Sequence, residues 1–323
     1  MIDALGRNID YLRISITDRC NMRCRYCMPV AVPELDHGDV LRYEEFLQVC
    51  QAAKVLGIKR FKVTGGEPLV RKGAVEFMAR LKEQPGTECV TLTTNGFFLK
   101  EALPELRAAG IDGINVSLDS LVPEQFASLT GVNGCQQVVA AVKASLDAGF
   151  PTKINAVLLT WNQDQILPLV KLAEQMPLDV RFIELMPIGY GKAYQGLTEH
   201  EVFSLVKKQY PDLERSYEKR GNGPAVYFKS RSLQGRIGFI AANTHKFCHK
   251  CNRMRLTSTG FLKPCLCYDL GVNLRSILRS GSADLQTKLQ EAIKEAIELK
   301  PKGHCFEDKV QITETRAMNQ IGG

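Results

Sequence analysis

The sequence predicts an α/β protein built on a parallel sheet, and three observations carry that expectation. Short β-branched runs alternate with helical stretches through the first two-thirds of the 323-residue chain. The helical stretches repeat apolar residues every three or four positions; Phe46, Val49, Ala53 and Leu56 put one apolar face on the first of them. Residues of unusual chemistry fall just after the strand C-termini, where barrel active sites are built. An open doubly wound sheet would satisfy the alternation as well, and it is the placement of the chemistry that favours a barrel.

Taken in order, strands are predicted over 12–17, 60–64, 89–93, 113–118, 152–159 and 179–185, with helices over 43–56, 72–82, 99–109, 135–148 and 165–174. Gly57, Gly110 and Gly149 each follow a helix where a left-handed cap residue sits. Six strand-then-helix units call for right-handed crossovers between parallel strands. After Tyr190 the rhythm breaks. A helix over 199–210 opens on Thr198 with Glu201 three residues later, a capping-box spelling. Short strands over 225–228 and 236–240 follow, then a helix over 283–299 and a weakly patterned tail ending in Gly322-Gly323. The expected division is a partial barrel over residues 1–230 and a C-terminal α+β segment over 231–323. There is no internal repeat and no low-complexity stretch.

Composition limits the function classes. With 45% hydrophobic and 24% charged residues the chain reads as an ordinary folded protein. No apolar run approaches the eighteen residues a bilayer span needs. Charges near the N-terminus occupy the place of a signal-peptide core, so a cytoplasmic address is expected. The net charge of +7 is spread along the chain, a solubility feature that also suits a polyanionic ligand such as a nucleotide or nucleic acid. Eleven cysteines without an export signal do not suggest a disulfide framework. Six of them fall into two metal-type groups. Cys50, Cys89, Cys135 and Cys305 have the ordinary reading of small buried apolar residues.

The first group, Cys20, Cys24 and Cys27, follows the first strand. Iron–sulfur clusters normally take four cysteines, so three close ligands leave one iron open to an outside ligand. A zinc site or buried structural cysteines are the alternatives, although zinc favours paired Cys-x2-Cys groups. Together with Tyr26 and with Gly65-Gly66-Glu67-Pro68 after the second strand, the triplet resembles the radical S-adenosylmethionine (SAM) superfamily. The resemblance implies that the open iron chelates SAM, that a one-electron reduction cleaves SAM to a 5′-deoxyadenosyl radical, and that this radical takes a hydrogen from the substrate. It implies that Tyr26 lies near the adenine and that the Gly-Gly-Glu-Pro backbone meets the methionyl amino group. The glycines would allow close backbone approach, and Pro68 would fix the turn.

The second group, Cys248, Cys251 and Cys265, reads either as a zinc site completed by Cys267 or His249, or as a second [4Fe–4S] cluster with an open iron. The run from Phe247 to Leu256, with Gly260 and Pro264-Cys265-Leu266, resembles the GTP 3′,8-cyclase family of molybdenum cofactor biosynthesis. Further matches run in order along the chain: Leu12 to Asp18, Thr93-Thr94-Asn95-Gly96, Ser117-Leu118-Asp119-Ser120, Arg181 to Pro187, and Gly322-Gly323. This resemblance implies an incomplete (β/α)6 TIM-like radical SAM barrel with a C-terminal α+β extension carrying the second cluster. GTP would lie between the clusters with its base on the second open iron, so Cys267 and His249 would not be ligands.

By the same resemblance Arg13, Lys62, Thr93, Lys153, Arg253, Met254 and Arg255 would contact GTP. Tyr26, Gly66, Ser117 and Met186 would contact SAM, and Gly322 and Gly323 would support activity from the tail. Each basic residue alone reads most often as a solvated surface charge, but Arg13 and Lys153 sit inside strand patterns, where an inward charge needs a partner. Lys62 stands where the family commonly has Arg, offering a point charge in place of a fork.

The implied reaction takes the 3′ hydrogen atom of GTP, adds the resulting C3′ radical to C8 of guanine, and after a further one-electron reduction and protonation gives (8S)-3′,8-cyclo-7,8-dihydroguanosine 5′-triphosphate. Its implied partners are a one-electron reductant protein and a downstream cyclic pyranopterin monophosphate synthase, with room for a homodimer and with no membrane or nucleic acid. Two rival readings are a radical SAM peptide-maturase with auxiliary clusters and a zinc-bearing nucleic-acid-binding protein. The first usually carries a longer cysteine-rich C-terminal segment, and the second predicts salt-dependent RNA binding.

Overall fold

The computed structural model describes residues 1–28 and 35–322. Six strands, β1 (Tyr11–Ser15), β2 (Arg60–Thr64), β3 (Cys89–Thr94), β4 (Gly113–Ser117), β5 (Thr152–Leu158) and β6 (Asp179–Glu184), pair in parallel in sequence order. The helices α1 (Tyr43–Val55), α2 (Ala74–Glu83), α3 (Leu99–Ala108), α4 (Pro123–Thr130), α5 (Cys135–Asp147) and α6 (Ile166–Gln175) occupy the crossovers. The six-unit α/β expectation therefore holds, with element ends within a few residues. Helix α4 is an addition: Pro123 sits at its first turn and Gly131 ends it in the left-handed conformation.

The later strands are β7 (Glu214–Ser216), β8 (Val226–Lys229), β9 (Ile237–Ile240), β10 (Arg253–Leu256), β11 (Phe261–Lys263) and β12 (Val272–Asn273). They extend the same sheet at both sides, giving the order β12-β11-β10-β1-β2-β3-β4-β5-β6-β9-β8-β7. Strand β9 runs parallel to β6 and β10 parallel to β1, so the chain between Ile240 and Arg253 passes from one side of the parallel array to the other. That crossing segment carries Cys248 and Cys251. Antiparallel ladders flank the parallel array, and among the described strands no pairing joins β12 to β7, so the barrel is incomplete.

Burial explains the strand pattern. In β5 the residues alternate buried and half-buried, with Lys153 and Asn155 lining the barrel cavity while Ile154 and Ala156 join the apolar core. Phe61, Val63, Leu92, Val116, Val180 and Phe182 belong to that core with Phe46, Phe77, Leu103, Val138 and Leu169 of the helices. Each such side chain contributes about 1.5–3 kcal/mol by leaving water. The apolar faces of the strands thus hold the helices, leaving polar residues for the interior.

C-terminal to β6, α7 (Glu199–Gln209) begins as its capping box predicts: Thr198 Oγ1 accepts from Glu201 N at 3.3 Å, and Thr198 N donates to Glu201 Oε2 at 2.7 Å. Helix α8 (Leu274–Leu278) and α9 (Leu285–Glu298) lie beyond the second cysteine group. A last short helix, α10 (Met318–Ile321), stands where the sequence shows only a weak pattern. Among the described residues no helix is long and apolar enough to cross a membrane.

Candidate active site

The first cysteine group lies in the loop leaving β1, and that loop is tied to the neighbouring strand exits. Gly66 N donates to Thr17 O at 2.7 Å and Glu67 N to Arg19 O at 2.8 Å. A Cβ on Gly66 would fall 2.4 Å from Arg19 O, so only glycine allows this approach. Glu67 is fully buried and accepts from Leu69 N at 3.0 Å, Thr94 Oγ1 at 2.8 Å and Asn95 N at 2.6 Å. Burial pushes its carboxyl up to about 7, against those hydrogen bonds. Asn95 Nδ2 in turn lies 3.7 Å from Cys20 Sγ, and Met22 N donates to the same sulfur at 3.4 Å.

Tyr26 connects the loop to the far strands. Its hydroxyl donates to Asp119 Oδ2 at 2.8 Å, and Asp119 Oδ1 accepts from Val157 N at 2.7 Å. Burial raises the Asp119 carboxyl to about 6. Burial also raises Cys20, drives Cys24 well above the ordinary thiol value, and pushes Cys27 up to about 12. Cys24 is raised further by Cys27, Asp119 and Cys20, and Cys27 by Cys20 and Asp119. Three thiols that repel one another's charge in a dry loop suit a positively charged iron core, which would stabilise all three thiolates together. A single tetrahedral ion at 2.3 Å draws sulfurs to roughly 3.8 Å from one another. Among the described residues no group of three His, Cys, Asp or Glu is gathered closely enough to hold a single metal ion.

Ser117 ends β4, half-buried and opposite Asn155 in register. Met186 follows β6 and packs against a small satellite core with Ile188 and Cys267.

Below this loop the barrel encloses a cavity of about 390 Å³. Arg13, Lys62, Thr93, Lys153 and Arg253 all line it, while Arg255 does not, although Arg13 stands in register between Lys62 and Arg255. The lining holds seven basic residues against two acidic ones, Asp112 and Asp179. Burial, then Arg181, Arg13 and Lys153, hold the Lys62 ammonium well below its ordinary value. Burial, then Arg13 and Arg253, bring Arg255 down to about 9. The Thr93 hydroxyl is buried with no hydrogen-bond partner among the described residues. Positive charge and an unused hydroxyl around one space describe a receptor for a polyanion.

Met254 stands apart from its neighbours. Along β10 the side chains alternate, and Met254 is fully buried in the apolar core, leaving its backbone as the part nearer the cavity. Arg181 is the residue the sequence reading passed over. It donates to Asn155 Oδ1 at 2.8 Å and Asn115 Oδ1 at 2.5 Å across the barrel floor. Its position inside β6, two residues from Asp179, carries the same inward-charge signal as Arg13 and Lys153. Cys89 also departs from expectation: it is half-buried and lines the cavity, while Cys50 and Cys135 are buried as expected.

The second group is assembled around Arg253 and Lys300. Lys300 Nζ donates to Arg253 O at 2.7 Å and to Pro264 O at 2.6 Å, tying the chain beside Cys251 to the chain beside Cys265. Arg7, paired with Asp3 at 2.6 Å, donates to Cys248 O at 3.2 Å. Burial alone would raise the Cys251 thiol, but Arg253 and Lys300 outweigh it and bring the thiol down to about 6. A thiolate at neutral pH beside two cations is a ready ligand for iron. Cys267 is instead fully buried with its Sγ 3.2 Å from Cys305 Sγ, and His249 is exposed.

The tail closes the other side. Lys263 and Glu314 form an ion pair with both side chains fully buried, and Asn319 Nδ2 donates to Asp18 O at 3.0 Å. Arg255 Nη1 donates to Gly322 O at 2.6 Å. Gly322 has φ +88°, and a Cβ there would lie 2.8 Å from Ser15 Cβ. Gly323 lies outside the described residues.

Comparison with known proteins identifies the family. Residues 14–173 match the Radical SAM superfamily and residues 178–306 match Molybdenum Cofactor Synthesis C. The GTP 3′,8-cyclase of Heliobacterium modesticaldum is 44% identical over 329 residues, and that of Clostridium perfringens 42% over 325, each match covering 100% of both chains. The chain belongs to the GTP 3′,8-cyclase family. It is a radical SAM enzyme, with SAM and an iron–sulfur cluster as cofactors. SuiB of Streptococcus suis bound to S-adenosylmethionine shares the fold, with TM-score 0.68 at 16% identity over 97% of this chain and 77% of that one. Relatives named as cyclases leave the peptide-maturase and zinc-protein readings without support.

Proposed function

We propose that this enzyme converts GTP to (8S)-3′,8-cyclo-7,8-dihydroguanosine 5′-triphosphate, the first step of molybdenum cofactor biosynthesis. The observation that carries the reading is the cationic cavity inside the barrel, with one cysteine triplet in the loop leaving β1 and the other beside Arg253, which lines that cavity. Cys20, Cys24 and Cys27 would hold the cluster that binds SAM; Cys248, Cys251 and Cys265 would hold a second [4Fe–4S] cluster. When bound, the first cluster and SAM would supply one-electron radical chemistry able to take a hydrogen atom from C3′ of the substrate.

The protein's own contribution is position and exclusion of water. Tyr26, Gly66, Ser117 and Met186 would shape the SAM site, with Asp119 fixing the Tyr26 hydroxyl. Arg13, Lys62, Thr93 and Lys153 would take the phosphates; Arg253, the Met254 backbone and Arg255 would hold the guanine side toward the second cluster. Gly322 and Gly323 would close the space between β1, β2 and the SAM site. Residues 1–230 form the barrel part in this reading and 231–323 the segment that completes it. A one-electron reductant protein, a downstream cyclic pyranopterin monophosphate synthase and a cytoplasmic address belong to the same proposal.

The test is anaerobic incubation of cluster-reconstituted protein with GTP, SAM and a chemical reductant. Cyclised nucleotide should form together with 5′-deoxyadenosine. Formation of 5′-deoxyadenosine without any cyclised nucleotide would remove the substrate assignment.

A further inference from the structure

Residues 217–225, between β7 and β8, separate the barrel cavity from a wider outer groove of about 1170 Å³. Lys219, Gly221, Asn222 and Gly223 line both spaces. The segment is fastened from inside the barrel: Lys153 Nζ donates to Arg220 O at 2.6 Å, and Asn222 Nδ2 lies 3.6 Å from Cys89 Sγ. Lys153, Cys89 and Asp179 all stand at the beginnings of their strands. The segment therefore caps the end of the cavity opposite the first cysteine triplet, which follows a strand end.

Arg220 spans this cap. Its Nη2 meets Glu218 Oε2 at 3.0 Å outside, while its Nη1 reaches inward to Asp179 Oδ1 at 3.6 Å. Asp179 is only 3% exposed and also faces Lys153 Nζ at 3.4 Å, so two cations share one carboxylate. Both separations fall at or beyond the limit of a good hydrogen bond. Lys153 Nζ also donates to Tyr227 Oη at 3.1 Å, whereas among the described residues Arg220 Nη1 has only the long contact to Asp179, and a guanidinium fork suits phosphate oxygens geometrically.

We propose that Arg220 contacts the terminal phosphate of the substrate and sets the preference for a triphosphate over shorter nucleotides. Asp179 holds Arg220 and Lys153 in place until the phosphate arrives. This inference rests on the reading of GTP as substrate. The second triplet borders this end too, since Cys251 and Arg253 line the outer groove with Lys219 and Asn222. Arg220 is tied to the phosphate side by Lys153, which donates to its backbone oxygen, so Arg220 adds nothing to the binding of GMP.

The experiment is equilibrium titration of anaerobic protein carrying its clusters and SAM with GTP, GDP and GMP, for wild type, Arg220→Ala and Arg220→Lys. Arg220→Ala should weaken GTP at least about tenfold, the scale of one charge-assisted hydrogen bond, and leave GMP within about twofold. Arg220→Lys should recover part of the loss, because it keeps the charge without the fork. An Arg220→Ala protein that retains the wild-type preference, or that loses GTP and GMP equally, overturns the role of Arg220 alone. A wild-type protein that binds none of the three nucleotides overturns the substrate reading and this inference with it.

Discussion

Replacing Gly322 by alanine tests how the tail is held against the barrel. The residue has φ +88°, where an added Cβ costs about 1–2 kcal/mol. That Cβ would also lie 2.8 Å from Ser15 Cβ and 3.3 Å from Thr64 Cγ2, and such overpacking typically costs about 1–3 kcal/mol. Opposing the two penalties at this point are the Arg255 bond to Gly322 O and the Asn319 bond to Asp18 O, together worth about 2–4 kcal/mol. The penalties and the restraints are of the same size, so the docked tail should lose roughly thirtyfold or more in population relative to the released one. Hydrogen exchange reads this directly, because the amides of Ile321 and Gly322 donate to Ala317 O and Met318 O. Their protection should be lost while that of β1 and β2 is kept, and GTP cyclisation should fall at least about tenfold. Undiminished protection of both amides with full activity would refute the steric reasoning.

Three further outcomes follow from the buried charges. Because burial and the neighbouring Arg181, Arg13 and Lys153 hold the Lys62 ammonium below its ordinary value, an incoming polyanion should restore its proton. GTP binding should therefore take up protons and weaken as pH rises between the two states' values, with calorimetry in buffers of different ionisation enthalpy reading the uptake. Lys62→Arg should abolish that uptake; an unchanged proton count would contradict it. Among the described residues Lys263→Met leaves buried Glu314 only Arg316, with Nε 3.6 Å away and its backbone N–H donating at 2.8 Å. The change should cost about 3 kcal/mol in denaturant unfolding, the lower end for a broken buried pair, while a loss below about 1 kcal/mol would show that the pair is dispensable. Glu67 has a folded value raised to about 7 from 4.5, so its contribution to stability is complete below the unfolded value and is lost as pH rises through 7, by roughly 3 kcal/mol. Glu67→Gln should flatten that fall in unfolding measured against pH, and an unaltered slope would assign it elsewhere.

Much of this architecture is legible in the sequence because local rules and tertiary needs agree. The six strands and their crossover helices show in the alternation of β-branched and amphipathic runs, and the barrel side of each strand shows wherever a charge interrupts it, as at Arg13 and Lys153. The pairing of β9 with β6 and of β10 with β1 is not legible, since four-residue strands carry little periodicity and their partners are distant in sequence. Arg253 and Arg255 read as a motif, and only the strand pairing reveals that both share the inward side with Arg13. Arg181 escaped for the opposite reason, being absorbed into a matching run without being weighed as a charge inside a strand. The segment around Arg220 is rich in glycine and looks like any surface turn until Lys153 is seen to hold its backbone. The tail is held by single polar contacts and one buried ion pair, which leave no pattern that periodicity could show.

The central claim is that the two cysteine triplets place the ribose of GTP against bound SAM. Incubating the anaerobic enzyme with GTP carrying deuterium at C3′ and measuring the mass of the 5′-deoxyadenosine formed tests it most directly. The account predicts transfer of one deuterium into 5′-deoxyadenosine together with cyclised nucleotide. Unlabelled 5′-deoxyadenosine alongside cyclised product would show that the hydrogen comes from elsewhere and would contradict the placement.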